Sequence, residues 1–98
     1  MAYAIITKDK AGALELRQEH RAAHLEHLMA HLGKLIAAGA QIEDDGSGGF
    51  GGIILFDTDD RAEAEAFVAA DPFTKVGLFE EVTVVRWRKG FLDGKRLF

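Results

Sequence analysis

Runs of apolar residues divide the chain into six regular elements joined by polar turns. Short β-branched runs predict four strands, and two stretches rich in alanine, leucine and glutamate predict helices. The first helix is expected to be capped by Gly33, and the second to end near Asp71 because Pro72 disfavours helical geometry before it. The glycine-rich run DDGSGGFGG predicts a hairpin connection. The predicted elements are a strand at 2–7, a helix at 13–33, strands at 34–42 and 52–58, a helix at 59–71 and a strand at 79–88.

The order of these elements, βαββαβ, is that of the ferredoxin-like α+β fold, an antiparallel four-stranded sheet with two helices on one face. Two helices cover only one face of such a sheet, whereas residues 53–56 are all apolar and point alternately to both faces. We therefore expect the second face to be covered by a second copy of the chain, in a homodimer that forms a dimeric α+β barrel. Residues 1–98 are predicted to be one domain with a C-terminal tail from about residue 90.

Composition and charge exclude several functional classes. The net charge of −4 argues against a nucleic acid partner, and the absence of cysteine excludes a disulfide framework and thiolate metal sites. The longest apolar run is too short to cross a membrane, and no charged segment typical of a signal peptide precedes the first strand. We expect a cytoplasmic protein with no membrane partner. No motif for a redox cofactor is present, so no cofactor is predicted.

All four histidines lie on one flank of the first predicted helix, at spacings of four, three and four. Histidines four residues apart can chelate a divalent ion, but one straight helix cannot surround a tetrahedral ion, so no metal site is predicted. An exposed polar flank is the preferred interpretation for three of them, His20, His27 and His31. The apolar side of the same helix, expected to face the core, carries Leu14, Leu25, Leu28 and Leu32.

His24 differs from the other histidines because of its neighbours. Arg17 and Arg21 lie on successive turns beside it, at or near the edge of the leucine side. An arginine in that position must either extend to solvent or meet an anion. His24 and the two arginines are therefore candidates for a shared site.

Several segments in sequence resemble the YciI-like (YCII-related) family. LELRQEHRAAHLEHL is similar to its R-x-x-x-R-x-x-H-L-x-x-L pattern, LIAAGA to the segment after its first helix, and ADPF to its Asp-Pro-aromatic signature. GGIILF and VTVVRWR lie where the family has its third and fourth strands, so the resemblance extends to about Lys89. One departure is Ala22, where many members have proline, and it affects helix geometry only.

The resemblance implies a dimeric ferredoxin-like α+β barrel and a His–Asp pair that has been proposed as the family's active site. By position, this pair is His24 and Asp71. Asp71 would orient His24, which would act in general acid–base chemistry through its other ring nitrogen. The family's relatives include a dehydrochlorinase of chlorinated hydroxyhydroquinones, and muconolactone isomerase shares the wider fold. A lyase-like or isomerase-like enzyme acting on a small cyclic or aromatic acid is therefore the expected function.

The other candidate residues would bind such a substrate. Arg17 and Arg21 would hold an anionic group or stabilise an enolate. Phe73, with Tyr3 or Phe50, would form an apolar wall against a ring.

Three alternatives remain open at the level of sequence. Asp71 precedes proline, and an aspartate in that position often only caps the turn that follows. The βαββαβ order also occurs in RNA-recognition modules, but Gly48, Gly52 and Leu55 replace the basic and aromatic residues of their stacking surface. Finally, the same fold can serve as a non-catalytic ligand-binding or assembly module, in which His24 and Asp71 merely join the helices.

Overall fold

The computed structural model describes all 98 residues and contains one four-stranded antiparallel sheet with its main helices on one face. The strands lie in the order β2-β3-β1-β4, which is the ferredoxin-like arrangement predicted from the sequence. The elements are β1 (Ala2–Asp9), α1 (Leu14–Ala30), β2 (Leu35–Gln41), β3 (Gly51–Phe56), α2 (Arg61–Ala69), α3 (Pro72–Lys75), β4 (Phe79–Trp87), β5 (Phe91–Leu92) and β6 (Lys95–Arg96).

The hydrophobic core lies between the sheet and α2. Ile5 of β1 pairs with Ile54 of β3 on one side and with Val84 of β4 on the other, so these side chains point to the same face. Phe67 of α2 packs on this layer, and its ring stacks on that of Phe56 at a centroid distance of 4.5 Å. The core residues with little exposed surface are Tyr3, Ile5, Ile54, Phe56, Ala64, Phe67 and Val68.

The opposite face of the sheet is apolar and no helix covers it. The exposures of neighbouring residues in β3 show which side chains point outward: Ile53 is 47% exposed, whereas Ile54 is 6% exposed. Ile6 of β1 and Val85 of β4 are also exposed on this outer face. The four-residue apolar run therefore does supply both faces, as predicted.

Helix α1 is oriented differently from the prediction. Its histidine flank faces the protein, and His20, His24, His27 and His31 are all half-buried. Three of the four leucines on its apolar side are exposed, and only Leu28 packs against the core. The expectation of an exposed histidine flank and an inward leucine side is therefore wrong. The physical reason is that the imidazole rings stack on phenylalanines and find hydrogen-bond partners on other elements, so their polar atoms are satisfied.

Two details of the chain ends and turns also differ from expectation. Helix α1 ends at Ala30 and continues into a 3-10 turn at Leu32–Lys34, so Gly33 lies inside that turn and does not have the positive φ of a glycine cap. The tail forms a short hairpin, β5 and β6, whose Asp93 and Gly94 have φ of 56° and 75°. This Asp-Gly pair is a strong hairpin signal in the sequence.

The glycine-rich run is the predicted hairpin connection between β2 and β3. Gly46 and Gly48 have positive φ, which glycine adopts without strain. The Ser47 hydroxyl and amide donate to Asp45 and lower the pKa of its carboxyl group. Among the helices of the structure, none is both long and apolar enough to cross a membrane.

Candidate active site

His24 and Asp71 meet at the end of α2, where α1 passes over the junction between α2 and α3. The His24 Nδ1 atom lies 2.9 Å from both carboxylate oxygens of Asp71. The Asp71 side chain is almost fully buried at 1% exposure, and the His24 side chain is 15% exposed. A buried carboxylate must be paired or hydrogen-bonded to remain stable, and the imidazole supplies such a partner.

Asp71 also caps α3. Its Oδ1 atom accepts a hydrogen bond from the Phe73 amide at 2.9 Å, and Pro72 occupies the first turn of the helix. The capping interpretation and the His–Asp interpretation are therefore not exclusive, because one carboxylate makes both interactions. The backbone holds Asp71 in place while its oxygens face His24.

The partner of His24 Nδ1 determines what the other ring nitrogen can do. An ionised carboxylate only accepts hydrogen bonds, so Nδ1 carries the proton that it donates to Asp71. No hydrogen bond within the chain uses Nε2, and no buried side-chain nitrogen or oxygen lacks a partner. Nε2 is therefore accessible, and in the neutral ring it has a free lone pair.

The Phe73 ring packs against His24. The two rings are nearly parallel, with an interplanar angle of 11° and centroids 4.1 Å apart. Phe73 itself is 1% exposed, so its ring is packed on all sides. The imidazole of His24 is thus held by two contacts: its face stacks on the Phe73 ring, and its Nδ1 atom is hydrogen-bonded to Asp71.

The two arginines have different environments. Arg17 forms a two-point ion pair with Asp9, through Nε to Oδ2 at 2.6 Å and Nη2 to Oδ1 at 3.1 Å. Arg21 is exposed, and no ion pair of the structure uses its guanidinium. Arg21 is therefore the uncompensated positive charge beside His24, whereas the charge of Arg17 is balanced.

A cleft between α1 and the sheet connects these residues. Its volume is about 210 Å³. The predicted His–Asp pair, both predicted arginines and Phe73 all line it, so the structure brings these five residues together. Alanine and glycine residues of the strands form its floor, and their small size leaves the space open. These floor residues are Ala38, Gly39, Ala40, Gly51 and Gly52.

Two aromatic residues proposed for the wall of the site do not line this cleft. Tyr3 lies in the core, where its hydroxyl accepts a hydrogen bond from Arg86. Phe50 lies in the loop before β3 and borders a separate surface depression. Of the three candidates, only Phe73 contacts the cleft, because α3 places it directly beneath His24.

The other histidines of α1 have structural partners. His27 Nε2 donates to the Phe67 carbonyl at 2.8 Å and its ring stacks on the Phe67 ring, while His31 Nδ1 donates to the His27 carbonyl. His20 only approaches Glu19, at 3.9 Å. No three histidine, aspartate or glutamate side chains are grouped so that they could hold a metal ion. Only His24 combines a carboxylate partner with a place in the cleft.

The fold and the site together define a ferredoxin-like α+β protein with a buried His–Asp pair at the edge of a small cleft. A family model, the YCII-related domain, matches residues 1–88, and the chain belongs to this family. The proteins named YciI from Escherichia coli O6:H1 and Shigella flexneri are each 35% identical over 98 residues, covering 93% of this chain and 100% of theirs. The resemblance seen in the sequence is thereby confirmed, and residues 89–98 lie beyond the matched domain.

A solved structure of the same fold provides a second comparison. It is 5-chloro-2-hydroxyhydroquinone dehydrochlorinase (TftG) from Burkholderia phenoliruptrix AC1100 in complex with 2,5-dihydroxybenzoquinone. The TM-score is 0.83 and the identity 33%, over 90% of this chain and 94% of that chain. The sheet and helices of the present chain therefore follow those of a protein that binds a small ring compound.

Proposed function

We propose that this protein is an enzyme that removes or relocates a proton on a small cyclic or aromatic acid, with His24 as the general acid–base. The observation that carries the proposal is the His24–Asp71 pair, in which Nδ1 is held by a buried carboxylate and Nε2 remains accessible in the cleft. This is the arrangement that general base catalysis by histidine requires, since the orienting group fixes both the tautomer and the ring direction.

In an elimination, His24 Nε2 accepts a proton from the substrate. The electron pair left behind forms a new π bond, and a chloride ion departs, so that HCl is removed overall without an oxidant or reductant. The resulting imidazolium is stabilised by the Asp71 carboxylate at 2.9 Å. In an isomerisation, the same nitrogen returns the proton to a neighbouring atom. Both reactions fit a site without a redox cofactor, and none is proposed.

The charge and size of the cleft favour a small anionic ring. Arg21 supplies one free positive charge, which suits a carboxylate or a phenolate oxygen. A cavity of about 150 Å³ is known to take up benzene, so a cleft of about 210 Å³ has room for one ring with a few substituents. Phe73 lines the cleft from beneath His24, and Leu25, Leu28 and Ile54 supply further apolar lining.

The structural relative favours elimination over isomerisation. It is a dehydrochlorinase that was solved with 2,5-dihydroxybenzoquinone, and both this ligand and the chlorinated hydroxyhydroquinone after which the enzyme is named are single rings with acidic hydroxyl groups. The direct test is to measure chloride release from 5-chloro-2-hydroxyhydroquinone and the isomerisation of a small unsaturated lactone by the purified protein. Catalysed release or isomerisation supports the proposal. Tight binding of the ring compounds without turnover would instead identify a non-catalytic ligand-binding module.

We also propose that the chain forms a homodimer through the outer face of its sheet. The exposed Ile6, Ile53 and Val85 give this face an apolar surface that is costly to leave in water. A second copy of the same surface is the simplest cover for it, and would close a barrel of two sheets. With no membrane-spanning helix and a net charge of −4, a cytoplasmic location without a nucleic acid or membrane partner is the accompanying proposal.

The substitution Ile53→Lys should dissociate this dimer. It places a charge at the centre of the proposed interface, where it would be buried without a partner. Sedimentation at micromolar concentration should show a dimer for the wild type and a folded monomer for Ile53→Lys. The matched control is Val82→Lys, because Val82 is similarly exposed, at 41%, but lies on the other face of the sheet beside Thr7. A wild type that sediments as a well-folded monomer would contradict the dimer.

A further inference from the structure

A largely buried ion pair, Asp9 with Arg17, lies close to the His24–Asp71 pair. The Asp9 side chain is 4% exposed and the Arg17 side chain 11%. Two hydrogen bonds join the guanidinium group to the two carboxylate oxygens, which is the bidentate geometry of a strong arginine–carboxylate pair. Asp9 is the last residue of β1, and its amide donates to the Phe50 carbonyl at 2.8 Å. Because its charge is already balanced, Arg17 is poorly suited to bind a substrate anion.

Phe73 lies between Arg17 and the active site and contacts both. The central carbon of the Arg17 guanidinium group lies 4.9 Å from the centroid of the Phe73 ring, within the range of a cation–π contact. The same ring stacks on His24 at 4.1 Å, and the Phe73 amide donates to Asp71 at 2.9 Å. Phe73 therefore touches both members of the His–Asp pair, and its ring is held in turn by Arg17.

The loop between β2 and β3 packs against Arg17 from another direction. A Cβ atom added to Gly49 would lie 3.0 Å from the Arg17 Cδ atom. This distance leaves no spare room, so the arginine stem is confined between the glycine loop and the Phe73 ring. Asp9, Gly49 and Phe73 together restrict Arg17 to one position.

We propose that Asp9 and Arg17 are positioning residues for the proposed reaction. They act through Phe73 to keep the His24 ring in line with Asp71, and they do not themselves bind the substrate. The proposal rests on the proposed function of His24, but the ring geometry that it predicts exists in the free protein. It assigns a role to Asp9, which no sequence pattern singled out, and it leaves Arg21 as the residue that meets the substrate's negative charge.

Two variants test the role of the ion pair. Arg17→Lys keeps the charge but removes the fork and the flat stacking surface, and Asp9→Asn keeps the shape but removes the negative charge. We expect kcat to fall about 10- to 100-fold in each, since small displacements of a catalytic group have effects of this size, while KM changes less than about twofold. The matched control is Arg61→Lys, because Arg61 also pairs with a carboxylate at 2.6 Å and lies over an aromatic ring, that of Tyr3.

The second measurement needs no substrate. Long-range ¹H–¹⁵N correlation spectra of the imidazole rings report which nitrogen of His24 carries the proton. In both variants the Nδ1–H form of His24 should lose population or broaden relative to wild type, with His27 and His31 unchanged. If KM rises and kcat is retained, Arg17 binds substrate directly and the proposal is wrong. If the wild type has no activity, the proposed function fails, and the ring spectra alone decide the positioning role.

A third variant covers the case in which both substitutions prevent folding. Gly49→Ala leaves every charge in place and presses only on the Arg17 stem, which must shift by a few tenths of an ångström. The His24 ring signals should shift in this variant. Unchanged His24 signals in folded Gly49→Ala protein would overturn the proposal.

Discussion

We expect His24→Asn to lower kcat/KM for chloride release by about 10²- to 10⁴-fold, the range that a positioned general acid–base contributes. Asparagine is chosen because its side-chain NH₂ can take the place of Nδ1 and donate to Asp71, while it has nothing in the place of Nε2. Alanine would be less informative, since it leaves a buried carboxylate without its partner, at a cost of about 3–5 kcal/mol in stability. Steady-state kinetics of the folded variant provide the measurement.

The control is His20→Asn, on the same helix and one turn away. His20 makes no hydrogen bond and only approaches Glu19 at 3.9 Å, so this variant should retain activity within about twofold. Equal losses in the two variants would mean that the helix flank as a whole matters, and that His24 has no special chemistry. Full activity in His24→Asn would remove His24 from the mechanism.

Asp71→Asn should have an effect of similar size for a different reason. The amide oxygen can still accept from the Phe73 amide and keep the cap of α3, but its NH₂ now faces His24 Nδ1 as a donor. The imidazole must then place its proton on Nε2, which is the wrong tautomer for a base in the cleft. Loss of the orienting carboxylate in this way lowers kcat by up to about 10⁴-fold in the serine-protease triad. We expect a fall of about 10²- to 10⁴-fold in kcat.

The matched control for this substitution is Asp60→Asn. Asp60 caps α2 by accepting from the Ala62 amide at 2.9 Å, so it performs the capping task of Asp71 without a histidine partner. Its substitution should leave kcat unchanged and alter thermal stability only slightly, because asparagine is nearly as good a cap. If both variants lose activity equally, or neither does, Asp71 acts only as a cap.

The predictable part of the site followed from local spacing and from the family resemblance. Arg17, Arg21 and His24 fall on neighbouring turns of any helix built from this segment. The second helix was expected to end near Asp71 and ends two residues earlier, at Ala69. The charge argument that Arg17 must meet an anion or extend to solvent was also correct. The sequence alone could not identify the anion as Asp9. That residue lies on a different element, and the residues next to it in the sequence do not indicate that it pairs with Arg17.

The orientation of α1 could not be predicted because it depends on tertiary partners. The leucine side is the more apolar, yet the histidine flank faces inward because Phe67 and Phe73 provide stacking surfaces and a carbonyl and a carboxylate accept from the rings. Helical periodicity contains no information about those partners. The hairpin of the tail was not predicted either, although Asp93-Gly94 is a residue pair typical of such turns.

The protonation pattern of the histidine rings in wild-type protein tests the central claim most directly. In long-range ¹H–¹⁵N spectra the neutral form of His24 should have its proton on Nδ1, that of His31 likewise, and that of His27 on Nε2, as their hydrogen bonds require. Adding 2,5-dihydroxybenzoquinone should shift the Nε2 signal of His24 and leave the other two rings in place. A His24 ring that carries its proton on Nε2, or one that does not respond to the ligand, would contradict the account.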